Sequence, residues 1–448
     1  MARTDRKIDM LHGSIWDKLL LFALPLAATG MLQQLFNAAD VAVIGQFVGK
    51  TAMAAVGSNS PVTGLLVNGF VGISLGANVI IARLTGQEEL GEVSRAVHTA
   101  LLFPVLCGFL LMGLGQAIAP WLLGLLSVPE NVFPMALLYL RIYLLGLPVN
   151  FLYNFAAAIF RSQGDTRTPL LCLTISGVAN VLMNLFFVCV IGMTVDGVAA
   201  ATALSQLLSA GMLVTALYRR RDAIRLEPKK LRIHRRLLAP IIRIGLPAGI
   251  QSMVFSLSNL CIQSAINQLG SDVMAASAAA FNIEILAYFL INSFGQACTT
   301  FVGQNCGAQD LARCRRVTRI SLLLDVVITV AFSLGVLACG PMLLSLFGSD
   351  PAILSFGMTR LRVILYSEAL NVVMEIMSGS MRGYGRSMVP AMITLVGVCG
   401  LRVAWVYTVF AAKPTLLVLM AAYPVSWAVT AAALTGVYFV LRQTNRLN

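Results

Sequence analysis

One carboxylate, Asp40, lies in the apolar stretch LFNAADVAVIGQFVG, from Leu35 to Gly49. A charge at the centre of a bilayer costs about 2.5–3.5 kcal/mol on insertion scales, so such a carboxylate is ordinarily there to bind something or to move a proton. Asn37 and Gln33 stand three and seven residues earlier, on the same face of a helix, with Phe36 four residues earlier. Farther along, Asn180 and Asn184 are one helical turn apart, and Thr202 follows GVAAA, a run of small residues that lets helices approach closely. If these groups converge on Asp40, they form an oxygen-rich pocket with one negative charge, suited to a proton or a partly dehydrated monovalent cation. The competing reading, that the amides and the hydroxyl only join helices, fits them better than it fits the carboxylate.

The second half of the chain places its acids elsewhere. Glu284, Asp325, Glu368 and Glu375 all fall in apolar segments, and Glu368, Asn371 and Glu375 share one helical face. Carboxylates lining a cavity attract an organic cation. Phe255, Phe281 and Tyr288 can add cation–π contacts, with Asn259 and Gln263 supplying polar ones. The alternative is ion pairing, with one of the glutamates neutralising Arg402, read as the one deep arginine. Ion pairing fits Asp325 better still, since it is read as having no polar neighbour on its face. Enzymatic chemistry finds no support. His12, His98 and His234 sit at or near segment ends, and the nine cysteines are scattered without a CxxC spacing.

The elements that carry these residues follow from composition. Only 11% of the 448 residues are charged, against roughly 25% in soluble domains, and 58% are hydrophobic. The expected fold is an all-α membrane protein with twelve transmembrane helices, at approximately 15–48, 54–83, 96–118, 131–160, 168–192, 197–218, 237–269, 274–305, 317–339, 352–381, 389–411 and 415–441. Basic residues collect at alternate ends of these spans: Arg3, Arg6, Lys7 and Lys18, then Arg83 and Arg95, then Arg161 and Arg167, the loop RRRDAIRLEPKKLRIHRR, Arg313 to Arg319, Arg382 and Arg386, and Arg442 with Arg446. The net charge of +13 is therefore a positive-inside pattern and not a nucleic-acid surface, and it places both termini in the cytoplasm of a cell with the protein in its plasma (inner) membrane. The first twenty residues lack the features of a cleaved signal.

Offset by 221 or 222 residues, the chain matches itself. Pro25 pairs with Pro247, Asn37 with Asn259, Gln46 with Gln268, Gly86 with Gly307, Arg95 with Arg316, Arg141 with Arg362 and Asn150 with Asn371, and RSQGDTRTP falls on RGYGRSMVP. Two pseudo-symmetric six-helix lobes are expected, at 1–218 and 237–448, joined by a basic cytoplasmic linker at 219–236. An even number of spans per lobe gives both the same orientation, which is a transporter architecture. Pro25 and Pro247 can bend their helices. The Gly72 and Gly76 spacing suggests close packing rather than a binding loop. No phosphate-cradling motif is present, so active transport would draw on an ion gradient.

In combination, LFNAADVAVIGQFVG, the RSQGDTRTP and RGYGRSMVP loops and GVAAATALSQ resemble the multidrug and toxic compound extrusion (MATE) family of bacterial transporters, over nearly the whole chain. The resemblance implies a V-shaped pair of lobes and an antiporter that exports cationic amphipathic compounds by alternating access in exchange for H⁺ or Na⁺. It implies no other cofactor, no obligate protein partner and action as a monomer. It also implies that Asp40, Asn180 and Thr202 are the cation site of the first lobe. Asn184 departs from the pattern, since related members often carry a second aspartate there. Coupling through Asp40 by protons and coupling shifted toward the second-lobe glutamates both stay open. The same superfamily offers a lipid-linked oligosaccharide flippase as the alternative, for which a cavity rich in Arg and Lys is expected. A membrane-embedded enzyme is the remote one.

Overall fold

The structure, a computed structural model, describes residues 7–126, 128–347 and 350–444, so Arg3, Arg6 and Arg446 lie outside the described residues. Within that range the chain is helical, with no strand. The helices are α1 (Trp16–Phe47), α2 (Lys50–Gly86), α3 (Leu90–Leu125), α4 (Phe133–Leu145), α5 (Leu147–Ser162), α6 (Arg167–Leu185), α7 (Val195–Tyr218), α8 (Arg235–Asn267), α9 (Ser271–Gly307), α10 (Leu311–Ala338), α11 (Gly340–Ser345), α12 (Pro351–Gly383), α13 (Met388–Thr394), α14 (Leu401–Trp405), α15 (Leu416–Met420) and α16 (Ala422–Gln443). Wider π turns continue α6 over Phe186–Val190, join α13 to α14 over Leu395–Gly400 and follow α14 over Val406–Phe410.

Ten of these segments are long and apolar enough to cross a membrane, and α4 with α5, bent by 47° at Gly146, make an eleventh. The remaining expected span is α12, which at 33 residues has the length but carries Arg360, Arg362, Glu368 and Glu375 in its middle. The spans lie where hydropathy puts them, except that α3 and α10 begin about two turns early. Their opening turns hold Glu92 and Arg95, and Arg313, Arg315 and Arg316, which are good helix formers excluded from an apolar window. The sharp break falls at Gly146, just ahead of Pro148. By contrast, α1 and α8 are each assigned as one helix through Pro25 and Pro247.

The internal repeat is written into the backbone. α2 and α9 are both 37 residues long, and their first residues, Lys50 and Ser271, are 221 apart. The same offset relates the positive-φ glycines ahead of them, Gly49 (117°) and Gly270 (100°), and the loop glycines Gly164 (83°) and Gly385 (80°). It also relates Glu88 and Gln309, two non-glycine residues at φ 60°. Left-handed backbone is costly for side-chain-bearing residues, so its recurrence at matched positions marks the same turn built twice. In RSQGDTRTP, Gly164 supplies that conformation. Asp165 then accepts the backbone N–H of Thr168 at 2.9 Å and its hydroxyl at 2.7 Å, starting α6.

The chain forms two compact units, one of residues 1–8 and 28–245 and the other of residues 9–27 and 246–448. In lipid the helices gain little from the hydrophobic effect, and close packing of small residues holds them. In the first unit a Cβ on Gly76 of α2 would lie 2.1 Å from the Ile241 carbonyl oxygen of α8, and one on Gly245 would lie 2.3 Å from that of Ile73. Gly76 and Gly245 thus mark a backbone crossing. Phe70 stacks on Phe151 at 3.5 Å between ring centroids. In the second unit α9 crosses α12 in the same manner: a Cβ on Gly379 would lie 2.5 Å from the Gly295 carbonyl oxygen, and the Thr299 hydroxyl donates to Gly379 O at 3.0 Å.

The loop after α7 is tied down within the first unit. His98 of α3, 1% exposed, donates from Nδ1 to Ser94 O at 2.7 Å and accepts the Glu227 backbone N–H on Nε2 at 3.0 Å. The Thr99 hydroxyl accepts the His234 N–H at 3.1 Å. Lys230 bonds the exposed Glu227 carboxylate at 2.9 Å and holds it below the ordinary carboxylate range. Leaving a buried amide unpaired costs about 1–3 kcal/mol. In His98→Phe, hydrogen exchange at residues 224–232 is therefore expected to quicken by roughly 5- to 150-fold, with α2 unaffected. Unchanged exchange would mean that His98 does not hold this loop.

Candidate functional site

In the first unit the predicted polar residues gather around Asp40, itself 9% exposed. Asn184 Nδ2 donates to Asp40 Oδ1 at 2.5 Å and lies 3.3 Å from Asn180 Oδ1. The Thr202 hydroxyl reaches Asp40 Oδ2 at 3.3 Å and Val198 O at 2.9 Å. Three helices thus supply the site: α1 the acid, α6 the amides and α7 the hydroxyl. Asn184 sits two residues before the π turn Phe186–Val190, a type of helix defect common at functional sites. Among the described residues no basic side chain pairs with Asp40. Asn184 Oδ1 is buried without a hydrogen-bond partner. Gln33 and Asn37 share the helix face but are exposed and do not reach the carboxylate.

Two contributors, Gly177 and Tyr139, escape the sequence reading. Phe36 packs so tightly against Gly177 of α6 that a Cβ there would lie 1.9 Å from its ring. The missing side chain of Gly177 is what lets α1 come close enough for Asp40 to meet Asn184. The spacing of Phe36 to Asp40 and of Gly177 to Asn180 was visible, but their opposition across two helices was not. Tyr139 of α4, 8% exposed and 6.2 Å from the Tyr143 ring, lies within electrostatic range of Asp40. Nothing in the run MALLYLRIYLL marks it.

In the second unit the acids divide. Glu284 of α9 forms a bidentate pair with Arg360 of α12, Oε1 to Nη2 at 2.5 Å and Oε2 to Nε at 3.1 Å. Glu375 accepts Arg382 Nη1 at 3.2 Å, while Nη2 of the same guanidinium donates to Gln251 Oε1 at 3.0 Å. Glu368, 4% exposed, is met by the Asn371 amide at 2.8 Å and, among the described residues, by no arginine within ion-pair distance. Arg402 lies 4.0 Å from the Tyr423 ring centroid and 5.7 Å from that of Trp427, and its Nε donates to the Ser426 hydroxyl at 3.2 Å. The reading of Arg402 as the one deep arginine is corrected. Arg360 is 3% exposed and Arg382 6%, each desolvated together with a glutamate that sequence distance or a presumed loop position had hidden. Phe281 and Tyr288 are exposed, and Asn292 donates to the Tyr288 hydroxyl at 3.1 Å. Asn259 and Gln263 are exposed on α8, Gln263 bonding Asn267 at 2.9 Å, and Phe255 is half-buried.

The MatE family profile matches residues 25–186 and 247–408, the two halves of the repeat. The chain is 28% identical over 436 residues to "Probable multidrug resistance protein YoeA" of Bacillus subtilis, covering 95% of this chain and 94% of that protein. It is 25% identical over 328 residues to "FAD transporter" of Shewanella oneidensis, covering 72% of each. A solved structure described as an outward-facing conformation of a multidrug resistance MATE family transporter superposes with a TM-score of 0.90 at 20% identity, covering 99% of this chain and 100% of that one. With its two matched halves and its membrane-spanning helices, the chain belongs to the multidrug and toxic compound extrusion family, and it is a multi-pass membrane transporter of small molecules, not an enzyme.

Proposed function

We propose that the protein is a proton-coupled antiporter that exports cationic amphipathic compounds by alternating access, with Asp40 as the coupling carboxylate. The observation that carries this reading is the environment of Asp40, a buried acid met by an amide and a hydroxyl but by no basic side chain among the described residues. Neutral donors compensate the charge only in part, so uptake of a proton relieves the remaining cost, on the order of a few kcal/mol at most. Proton and substrate each shift the inward and outward populations by their differential affinity. Glu368, Asn371 and the ring of Tyr288 are the groups we assign to substrate, because Glu284 and Glu375 are already neutralised by arginines. In this reading the protein works as a monomer in the plasma membrane with both termini cytoplasmic and lobes at 1–218 and 237–448.

A second reading rests on Asn184 Oδ1. Turning that amide would aim its oxygen at the Asp40 pocket, and with Asn180 and Thr202 it would offer a sodium ion three neutral oxygens. Hard cations take several oxygen ligands, and this set is lean. An oligosaccharide flippase is less well supported, because Arg360 and Arg382 are held by glutamates. An anionic substrate such as FAD, the cargo in one relative's name, would have Arg402 as its attractor.

Ethidium efflux from vesicles under an imposed proton gradient is expected to fall at least roughly tenfold in Asp40→Asn, within the usual range of coupling free energies. Equal efflux in wild type and variant under both proton and sodium gradients would remove Asp40 from coupling. Replacing Asn184 with Asp adds the second carboxylate. The expected result is a new sodium dependence of ethidium efflux, and if sodium has no effect on that variant, the amide is not what makes the site proton-selective. Gly177→Ala forces a methyl into the Phe36 ring. Such overpacking costs about 1–3 kcal/mol, so both thermal stability and efflux should drop, and a variant matching wild type in both would show that the α1–α6 approach is not needed.

A further inference from the structure

The buried face of α10 carries polar residues at helical spacing, Thr318, Ser321, Asp325, Thr329 and Ser333, none more than 3% exposed. Asp325 stands at the middle of this 28-residue span. Contrary to the reading of it as isolated, Ser321 and Thr329 are its neighbours one turn before and one turn after.

One hydrogen bond in this row departs from helix habit. Thr299, Thr300, Thr318 and Thr430 return their hydroxyls to the carbonyl four residues earlier. Thr329 instead donates to Asp325 Oδ1 at 3.0 Å. Asp325 Oδ2 and the Ser333 hydroxyl are buried without a hydrogen-bond partner. The row continues to Thr318, whose hydroxyl lies 2.8 Å from that of Ser380 on α12.

The helices packed on α10 are α9, α11 and α12. From α9 come Cys298, which is buried, and Glu284, which is paired with Arg360. From α12 come the acids Glu368 and Glu375, and Arg382, which is occupied by Glu375 and Gln251. No charged residue comes from α11. Among the described residues Asp325 therefore has no basic partner, and one of its oxygens is unsatisfied. A sodium ion would need more oxygens than one carboxylate and the hydroxyls of Ser321 and Thr329 supply. A proton needs only the free Oδ2, and once bound it turns that oxygen into a hydroxyl donor.

We propose that Asp325 is a second proton-binding site, loaded and emptied through the hydroxyl row of α10. The claim that it empties during transport rests on the antiport reading above; the claim that it titrates does not. Difference infrared spectroscopy of the full-length protein in vesicles tests it, by titrating between about pH 5 and about pH 9, across the range where buried carboxyls are documented to ionise. The expected result is loss, as pH rises, of a protonated-carboxyl band component that is absent in Asp325→Asn and retained in Asp40→Asn. A spectrum in which Asp325→Asn removes nothing from the titrating bands would overturn the site. So would a component that stays protonated throughout, as a permanent hydrogen-bond connector would. Should Asp325→Asn not fold, Thr329→Val deletes the bond to Oδ1. A shift in the position of the same component then supports the assignment, and an unmoved component refutes it. If Asp40→Asn still pumps protons against ethidium, the coupling reading fails while this titration stands or falls separately.

Discussion

A carboxylate in the interior of a membrane protein is tolerated only when its charge is answered, by a basic side chain, by a bound ion or by hydrogen-bond donors. Asp40 is answered in the last way. Asn184 and Thr202 each present a hydrogen to one of its oxygens, from different helices. That arrangement depends on distance between helix axes, and the distance depends on Gly177 accepting the edge of Phe36. The polar site and the apolar contact beside it are one constraint. Moving α1 outward by the width of a methyl group would lengthen the bond to Asn184 and leave the carboxylate with less compensation than before.

The two halves share a scaffold and differ in chemistry. At matched positions Asp40 is replaced by Ile262, Asn180 by Leu401, Asn184 by Trp405 and Thr202 by Tyr423. Tyr139, beside Asp40, corresponds to Arg360, and Glu368 to Leu147. The turn glycines, the 37-residue length of α2 and α9 and the left-handed residues persist, because backbone geometry admits few substitutes. The side chains that face the interior have diverged, because a helix surface tolerates any group whose partners are supplied. Where the first half uses a hydroxyl and two amides, the second uses arginine with glutamate and arginine against aromatic rings.

Span limits and the repeat were legible because hydropathy and the 221-residue offset are properties of the chain itself. The Asp40 cluster was legible in outline. Asn180, Asn184 and Thr202 are polar residues in apolar runs, and few partners were available to each. Gln33 was grouped with Asp40 by angle alone, yet seven residues of helix rise about 10.5 Å, beyond hydrogen-bond reach. The pair Glu284–Arg360, seventy-six residues apart, was hidden because hydropathy reports which helices are polar and not which faces meet. Asp325 was misread through attention to acids and amides. Its neighbours are hydroxyls, whose polarity is weak enough to pass as helix filler.

Pairing also sorts the acids by what they can do. Removing one partner of a buried ion pair costs about 3–5 kcal/mol, because the other charge is left stranded. Glu284 cannot change its charge without stranding Arg360 between α9 and α12, and Glu375 is bound in the same way to Arg382, which is also tied to Gln251 of α8. These acids fasten helices. Asp40, Asp325 and Glu368 are held by hydroxyls and amides, which remain satisfied or find other acceptors when the carboxyl gains a proton. An amide can turn and a hydroxyl can rotate at little cost, whereas a guanidinium cannot give up its charge. In the proposed antiport, ion exchange would fall to the acids that, among the described residues, have no arginine partner, and the paired acids would keep the helices fixed around them.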